Sequence, residues 1–287
     1  MTINKRLVTS GLTIAAAAAL LIGATFAFFT DSETSTGNTF SAGGLDLKVD
    51  SEAHYAGLVC NSSSQWQFEA TSSSRPDLVG DPCDGTWAQT DLGPTHKFFN
   101  LSDLKPGDSG ENTISLHVIN NDAWGRLVIN SVQDLENTYL QEELEAGDPD
   151  GVASGELREN LLFSIWLDEG TNNGFQCSGL GAECGADPQE GDNIKQAEEP
   201  ELVSQGTLDA GSETHNIWQG LAAVFALQGA SPGIVSDGRM VGSTTYYFGI
   251  DWELPEGVGN VIETDSLVAN MSFQVVQHRN NPSKLGF

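Results

Sequence analysis

The stretch Thr245-Tyr246-Tyr247-Phe248-Gly249-Ile250-Asp251-Trp252-Glu253-Leu254 decides the fold. Tyr246, Phe248, Ile250, Trp252 and Leu254 fall on one side, and Thr245, Tyr247, Gly249, Asp251 and Glu253 on the other. Five successive periods of two mark a strand with one face in a core. The same alternation recurs over 113–120, where Ile114, Leu116 and Val118 oppose Ser115 and His117, which puts His117 on a solvated face. It recurs again where Ala269, Met271, Phe273 and Val275 oppose Asn270, Ser272 and Gln274. Residues 45–50 alternate apolar with charged, and 161–167 form an apolar run suited to a strand buried on both faces. Leu104-Lys105-Pro106-Gly107-Asp108 is a turn with Pro and Gly at its corners. Two helices are expected. One spans 133–146, with Leu135, Tyr139 and Leu144 to one side. The other spans 214–228, with Trp218, Leu221, Ala222 and Phe225 in a stripe and Gly229 as its stop. The expected fold is mainly β, an antiparallel β-sandwich with one or two short surface helices.

The composition narrows the function. The 287 residues carry 12 Lys+Arg against 40 Asp+Glu, a net charge of −28. Such a surface repels phosphate backbones and anionic lipid headgroups, which disfavours nucleic-acid and membrane-surface partners, and it attracts cations. With 39% hydrophobic residues the chain is no disordered acidic tail.

Residues 1–27 read as an export signal. Lys5 and Arg6 precede an apolar run from Leu12 to Ile22, and Thr25-Phe26-Ala27 offers a small-x-small cleavage site with Phe28 as the first mature residue. The rival reading is an uncleaved anchor, since 12–29 is 18 residues without a charge. The abrupt polar turn at Thr30-Asp31 favours cleavage.

Export makes Cys60, Cys83, Cys177 and Cys184 an expected disulfide framework. Sequence proximity suggests Cys60–Cys83 and Cys177–Cys184, one of three pairings. Residues 51–97 read as an irregular insertion stapled by the first pair, with Trp66, Phe68 and Trp87 as its own small core. Residues 168–203 read as a second, acidic insertion. Within it Asp168, Glu169, Asn172 and Asp192 are oxygen donors suited to Ca2+, set against the plainer reading of a solvated acidic loop. Asn61, Asn100 and Asn270 begin glycosylation triplets. Catalytic patterns are missing. HExxH, GxSxG and the phosphate-binding loop do not occur, so no catalytic residue and no required cofactor are assigned.

Residues 23–47 carry a resemblance. Gly23-Ala24-Thr25-Phe26-Ala27-Phe28-Phe29-Thr30-Asp31-Ser32-Glu33-Thr34, then Thr36-Gly37-Asn38-Thr39-Phe40-Ser41-Ala42-Gly43-Gly44-Leu45-Asp46-Leu47, resembles the start of the TasA/camelysin family. The turn at Leu104–Gly110 leading to Asn120-Asn121-Asp122-Ala123, and the ending from Asp265 through Phe273 to Arg279-Asn280-Asn281-Pro282, resemble further family segments. The resemblance implies a jelly-roll subunit of an extracellular filament, a pilus or biofilm matrix fibre, whose signal is cut by a SipW-type signal peptidase. Its partners would be copies of itself, with membrane contact only through the signal. Residues 28–38 would be the donor strand, with Phe28, Phe29, Thr30, Ser32 and Thr34 entering the next subunit, and 39–287 the domain that accepts it. A monomeric surface adhesin or Ca2+-binding domain is the alternative. A camelysin-like metalloprotease is disfavoured by the missing HExxH.

Overall fold

The computed structural model describes residues 30–34 (backbone), 45–148, 154–176, 187–279 and 281–284. The strands are β1 Thr30–Thr34, β2 Asp46–Tyr55, β3 Leu58–Cys60, β4 Trp66–Phe68, β5 Trp87–Thr90, β6 Ser109–Ile119, β7 Ala123–Leu135, β8 Leu162–Leu167, β9 Glu201–Gly206, β10 Ser212–His215, β11 Thr244–Glu253 and β12 Ser266–Gln277. Among the described residues three short α-helices lie between them: α1 Gln141–Ala146, α2 Leu157–Asn160 and α3 Ile217–Gln228. Among the described residues the strands form two antiparallel sheets. The smaller has the order β1-β12-β7-β10. The larger has the order β4-β3-β2-β6-β11-β8-β9, with β5 added on β2.

The expected sandwich is what forms. Ile114, Leu116, Tyr246, Phe248 and Ile250 of the large sheet share one core with Leu127, Ile129, Phe273 and Val275 of the small sheet. β6 and β11 are paired so that Leu116 lies opposite Tyr246 and Ile114 opposite Phe248. Across the layer, the rings of Phe98 and Phe273 meet edge to face at 5.8 Å. A second cluster closes one end of the large sheet around Tyr55, Leu58, Trp66, Trp252 and Leu254, beside the Cys60–Cys83 disulfide. The turn after Leu104 forms as read. Gly107 takes φ 92°, and Asp108 accepts from the Lys105 amide at 2.8 Å and the Tyr55 hydroxyl at 2.7 Å.

Several expectations are corrected. β2 runs on to Tyr55, so the insertion begins later and carries strands of its own. Trp66, Phe68 and Trp87 do not make one local core. Trp66 joins the second cluster, Trp87 packs on Phe98, and Phe68 is exposed. Helix over 133–146 shrinks to α1, because β7 continues to Leu135 in register with Ser266 of β12. Between Val268 and Asn270 the pairing shifts, and Ser131 adopts φ 55°. That bulge reverses which side chains of β7 face inward: Leu127 and Ile129 before it, Val132 after it, while Leu135 turns out to solvent. Ala269, opposite the bulge, is exposed rather than core. α3 buries Ile217, Leu221 and Val224, a stripe offset from the one expected.

His117 is the sharpest difference. It is buried, with Nε2 2.6 Å from Asp50 and Nδ1 3.0 Å from the Thr245 hydroxyl. The face of β6 and β11 expected to be wet is covered by the segment after β8. Phe175 packs on Tyr246 and Tyr247, and Gly191 sits against the Tyr247 ring. On the same face the Trp166 indole lies over Gly249, its partner across the β11–β8 ladder. A Cβ at position 249 would fall inside that ring. Gly249→Ala should therefore destabilise the fold by roughly 2 kcal/mol through overpacking, read from urea unfolding against wild type.

Candidate functional site: the β12 edge and the acidic loop

Two regions drew functional expectations, the N-terminal segment and the acidic insertion. The signal residues, Ala27, Phe28 and Phe29 lie outside the described residues. Thr30, Ser32 and Thr34 are in β1, which lies on the edge of the small sheet. It pairs antiparallel with β12, Thr30 opposite Val276 and Thr34 opposite Ser272. The β12 segment it covers carries Ser272, Phe273, Val275 and Val276, all buried. β12 is held on its other side by β7, where the Arg126 guanidinium donates to Gln274 Oε1 at 2.9 Å. β1 thus satisfies the outer backbone groups of a strand whose side chains are already core.

The acidic insertion is built by carboxylates that close its own turns. Asp168 is fully buried and accepts from the Gly191 amide at 2.8 Å and the Asn193 amide at 3.1 Å. Glu169 accepts from the Gly174 amide at 2.6 Å and the Gln228 side chain at 3.0 Å. Asn172 donates from its backbone to Asp187 at 2.7 Å. Asp192 accepts from the Ile194 amide at 3.0 Å. Glu199, buried although unremarkable in sequence, accepts from the amides of Gly170 at 2.8 Å and Gln196 at 2.9 Å. Asp168, Glu169, Asn172 and Asp192 therefore serve separate closures rather than one shared point. The turns need glycine: Gly170, Gly174 and Gly191 all have φ between 72° and 82°. Cys177 and Cys184 lie outside the described residues.

Burial dominates the electrostatics here. It pushes Glu199 up to about 8 and Asp168 up to about 6, against the amide bonds that favour their charged forms. Burial also opposes ionisation of Asp187, but the Asn172 and Gln189 amides hold it below the usual range. Of the glycosylation candidates, Asn100 is exposed and bonded to Asp84 at 2.6 Å, Asn61 caps its own turn by accepting from Ser63 at 2.9 Å, and Asn270 is half-buried on β12.

A cavity of about 190 Å³ opens between the sheets, lined by Leu127, Ile165, Phe248, Phe273 and, from α3, Ile217 and Gly220. Its imidazole, His215, lies 3.3 Å from Glu213.

Residues 2–55 match the sequence model of the camelysin metallo-endopeptidase family. The match covers the N-terminal segment and ends with β2, and it supports the TasA/camelysin resemblance read from the same residues. No curated protein gives a significant match. Among solved structures, "Structure of infectious bursal disease virus Gx strain" aligns with 89% of this chain at 10% identity and a TM-score of 0.22. This chain spans 58% of the length of that one, and the likeness carries no argument about fold or function.

The name of that family implies a metal, and each histidine of the described residues has a carboxylate or backbone neighbour rather than a second imidazole. His54 sits between Glu52 at 3.2 Å and Glu69 at 3.3 Å, His117 beside Asp50, His215 beside Glu213, and His278 3.3 Å from Asp237. Among the described residues, the groups of three candidate ligands that converge are all carboxylates. This donor set does not fit a histidine-bearing zinc-peptidase centre.

The raised carboxyls give the loop a pH signature. A carboxyl whose folded pKa exceeds its unfolded value stabilises the fold below the unfolded pKa and loses that contribution as pH rises through the folded one. For Glu199 the window runs from about pH 4.5 to about 8. The melting temperature should fall across this window in wild type. Glu199→Gln should flatten the fall, read as the difference between two pH series.

Proposed function

We propose that this chain is an exported structural subunit, not a peptidase, that joins head-to-tail to copies of itself through residues 28–38. The observation that carries the reading is the β1–β12 pairing: a terminal five-residue strand completes a sheet edge and touches the ladder on one side only. A strand of that kind can complete the same edge on a second copy with the same backbone hydrogen bonds. The contact is heterologous, so it leaves a free strand at one end and an open edge at the other and propagates. The camelysin-family match to residues 2–55 includes this segment, which supports a shared role for it. Lys5 and Arg6 before an apolar run, together with the Cys60–Cys83 disulfide, support export to an oxidising surface. Among the described residues no helix is long and apolar enough to cross a membrane. A SipW-type signal peptidase would free Phe28, and the product would be a pilus or matrix fibre.

A second reading, a monomeric surface adhesin, draws support from the same pairing, since β1 here fills the edge of its own chain. Electron microscopy separates the two. Protein beginning at Phe28, concentrated to about a millimolar so that neighbouring strands compete with its own, should form regular filaments, and the variant lacking 28–38 should keep its circular dichroism spectrum but stay monomeric. Filaments from the truncated form would defeat the strand-exchange reading. Monomers from the intact mature chain at every salt and Ca2+ concentration would favour the adhesin.

A further inference from the structure

The bulge at Ser131 has a chemical consequence. By reversing the inward positions of β7 it puts Asp134 in step with Val132, and Glu136 follows just past the end of the strand, beside the start of β12. There Glu136 meets four other carboxylates from three further segments: Glu143 of α1, Asp148 just after it, Glu156 before α2 and Asp265 before β12. One oxygen each from Glu136, Asp148 and Glu156 lie within 4.8 Å of one another, and so do one each from Glu136, Glu143 and Asp265.

An acidic cluster alone would mean little on so acidic a chain. What distinguishes this one is Glu143. The residue is wholly buried, at 0% exposure. Its Oε2 accepts from the Leu140 amide at the start of α1, and its Oε1 is out of water with no hydrogen-bond donor. Glu136 Oε2, Glu156 Oε2 and Asp265 Oδ1 are in the same condition. Among the described residues no Lys or Arg forms an ion pair with any of these four. Arg158, the cation beside them, is 3.7 Å from Asp134 and 2.9 Å from Glu159. Buried polar groups are nearly always satisfied, and buried charges are paired or hold metals. Burial, followed by the neighbouring carboxylates, pushes Glu156 up to about 7 and raises Glu143. Burial likewise raises Glu136 and Asp265. The site is therefore short of positive charge.

We propose that Glu136, Glu143, Asp148, Glu156 and Asp265 form a Ca2+ site that ties the end of β7 and the start of β12 to α1. The donors are all oxygen, which selects a hard cation over zinc or copper. Oxygens on opposite sides of one Ca2+ stand about 4.8 Å apart at the usual bond lengths, and the oxygens of each of the two trios, which share Glu136, lie within that distance of one another. The ligands come from loop ends rather than one rigid element, which suits the flexible six-to-eight coordination of Ca2+ better than the strict octahedron of Mg2+. The site is distinct from the 168–203 insertion, whose carboxylates already hold backbone amides.

The test uses the full mature chain, stripped with EGTA and dialysed. Added CaCl2 should bind by calorimetry, be retained as bound calcium by elemental analysis, and raise the melting temperature by several degrees. Glu143→Gln removes a buried charge while keeping the shape. It should melt higher than wild type in EGTA and lose at least tenfold in Ca2+ affinity. Glu156→Gln, at a half-exposed position, gives the same readout if Glu143→Gln does not fold. Asp192→Asn in the acidic loop should leave binding unchanged. The proposal is overturned if wild type takes up no Ca2+. It is equally overturned if the Glu143 and Glu156 variants bind like wild type, or if Asp192→Asn alone abolishes binding. Stabilisation by acid without any response to Ca2+ would mean the cluster holds protons, and would also overturn it.

Discussion

Everything in this structure depends on the apolar layer between the two sheets. Its members come from strands far apart in sequence, β2, β6, β7, β8, β11 and β12, and each enters through strict alternation. A slip of one residue in any ladder would send Phe273 or Phe248 to the opposite face. The ten-residue register between β6 and β11 and the long ladder between β7 and β12 hold that alternation in place. Where β7 departs from it, a bulge absorbs the extra residue and leaves the inward positions of β12 beyond it unchanged, so Met271, Phe273 and Val275 stay with the core.

The parts of the fold legible in the sequence are those set by alternation alone. Residues 245–254 and 113–120 declare themselves because every second residue is large and apolar, and both are strands of the central ladder. What stayed hidden came from long-range partners. The polar residues Thr113, Ser115, His117 and Thr245 read as solvent-facing, and they are buried because the insertion after β8 folds over them. Their polarity survives burial through specific pairs, His117 with Asp50 and Thr245 among them. The end of β7 looked helical because Leu135, Tyr139 and Leu144 fall to one side of a helix, and because Val132 is out of step with Leu127 and Ile129 in a strand that carries no bulge. Only the pairing with β12, and Ser131 in a left-handed conformation, restore the strand. The first disulfide followed from proximity in sequence. The acidic insertion was legible as acidic but not as buried, since composition says nothing about which carboxylates meet backbone amides.

The charge of the chain takes on a different meaning in this light. A net −28 suggests a solvated skin, yet several carboxylates do internal work. In the 168–203 insertion they replace the regular ladders that a loop lacks, each accepting amides that would otherwise be orphaned. Burial sets the stability of these closures against their ionisation, so the insertion that covers the central strands is sensitive to proton concentration. At the end of the small sheet carboxylates face one another as well as amides, and among the described residues Glu136, Glu143, Glu156 and Asp265 each keep a buried oxygen without a hydrogen-bond donor.

The small-sheet edge gives the proposed assembly its logic. Pairing of β1 with its own β12 and pairing with a neighbour's β12 form the same hydrogen bonds, so the bonds themselves do not decide between them. What decides is the local concentration of competing strands. Residues 35–45 separate β1 from β2, and a tether of so few residues presents the strand to its own edge at roughly millimolar effective concentration. Free monomers in dilute solution would therefore close on themselves. Subunits released side by side at one export site would meet neighbouring strands at comparable concentration. Each exchange would then leave an open edge that only another subunit can fill. Signal cleavage becomes the switch in this scheme, because a tethered Phe28 can reach neither edge freely. The polymer would grow where the subunits emerge and not in the surrounding medium.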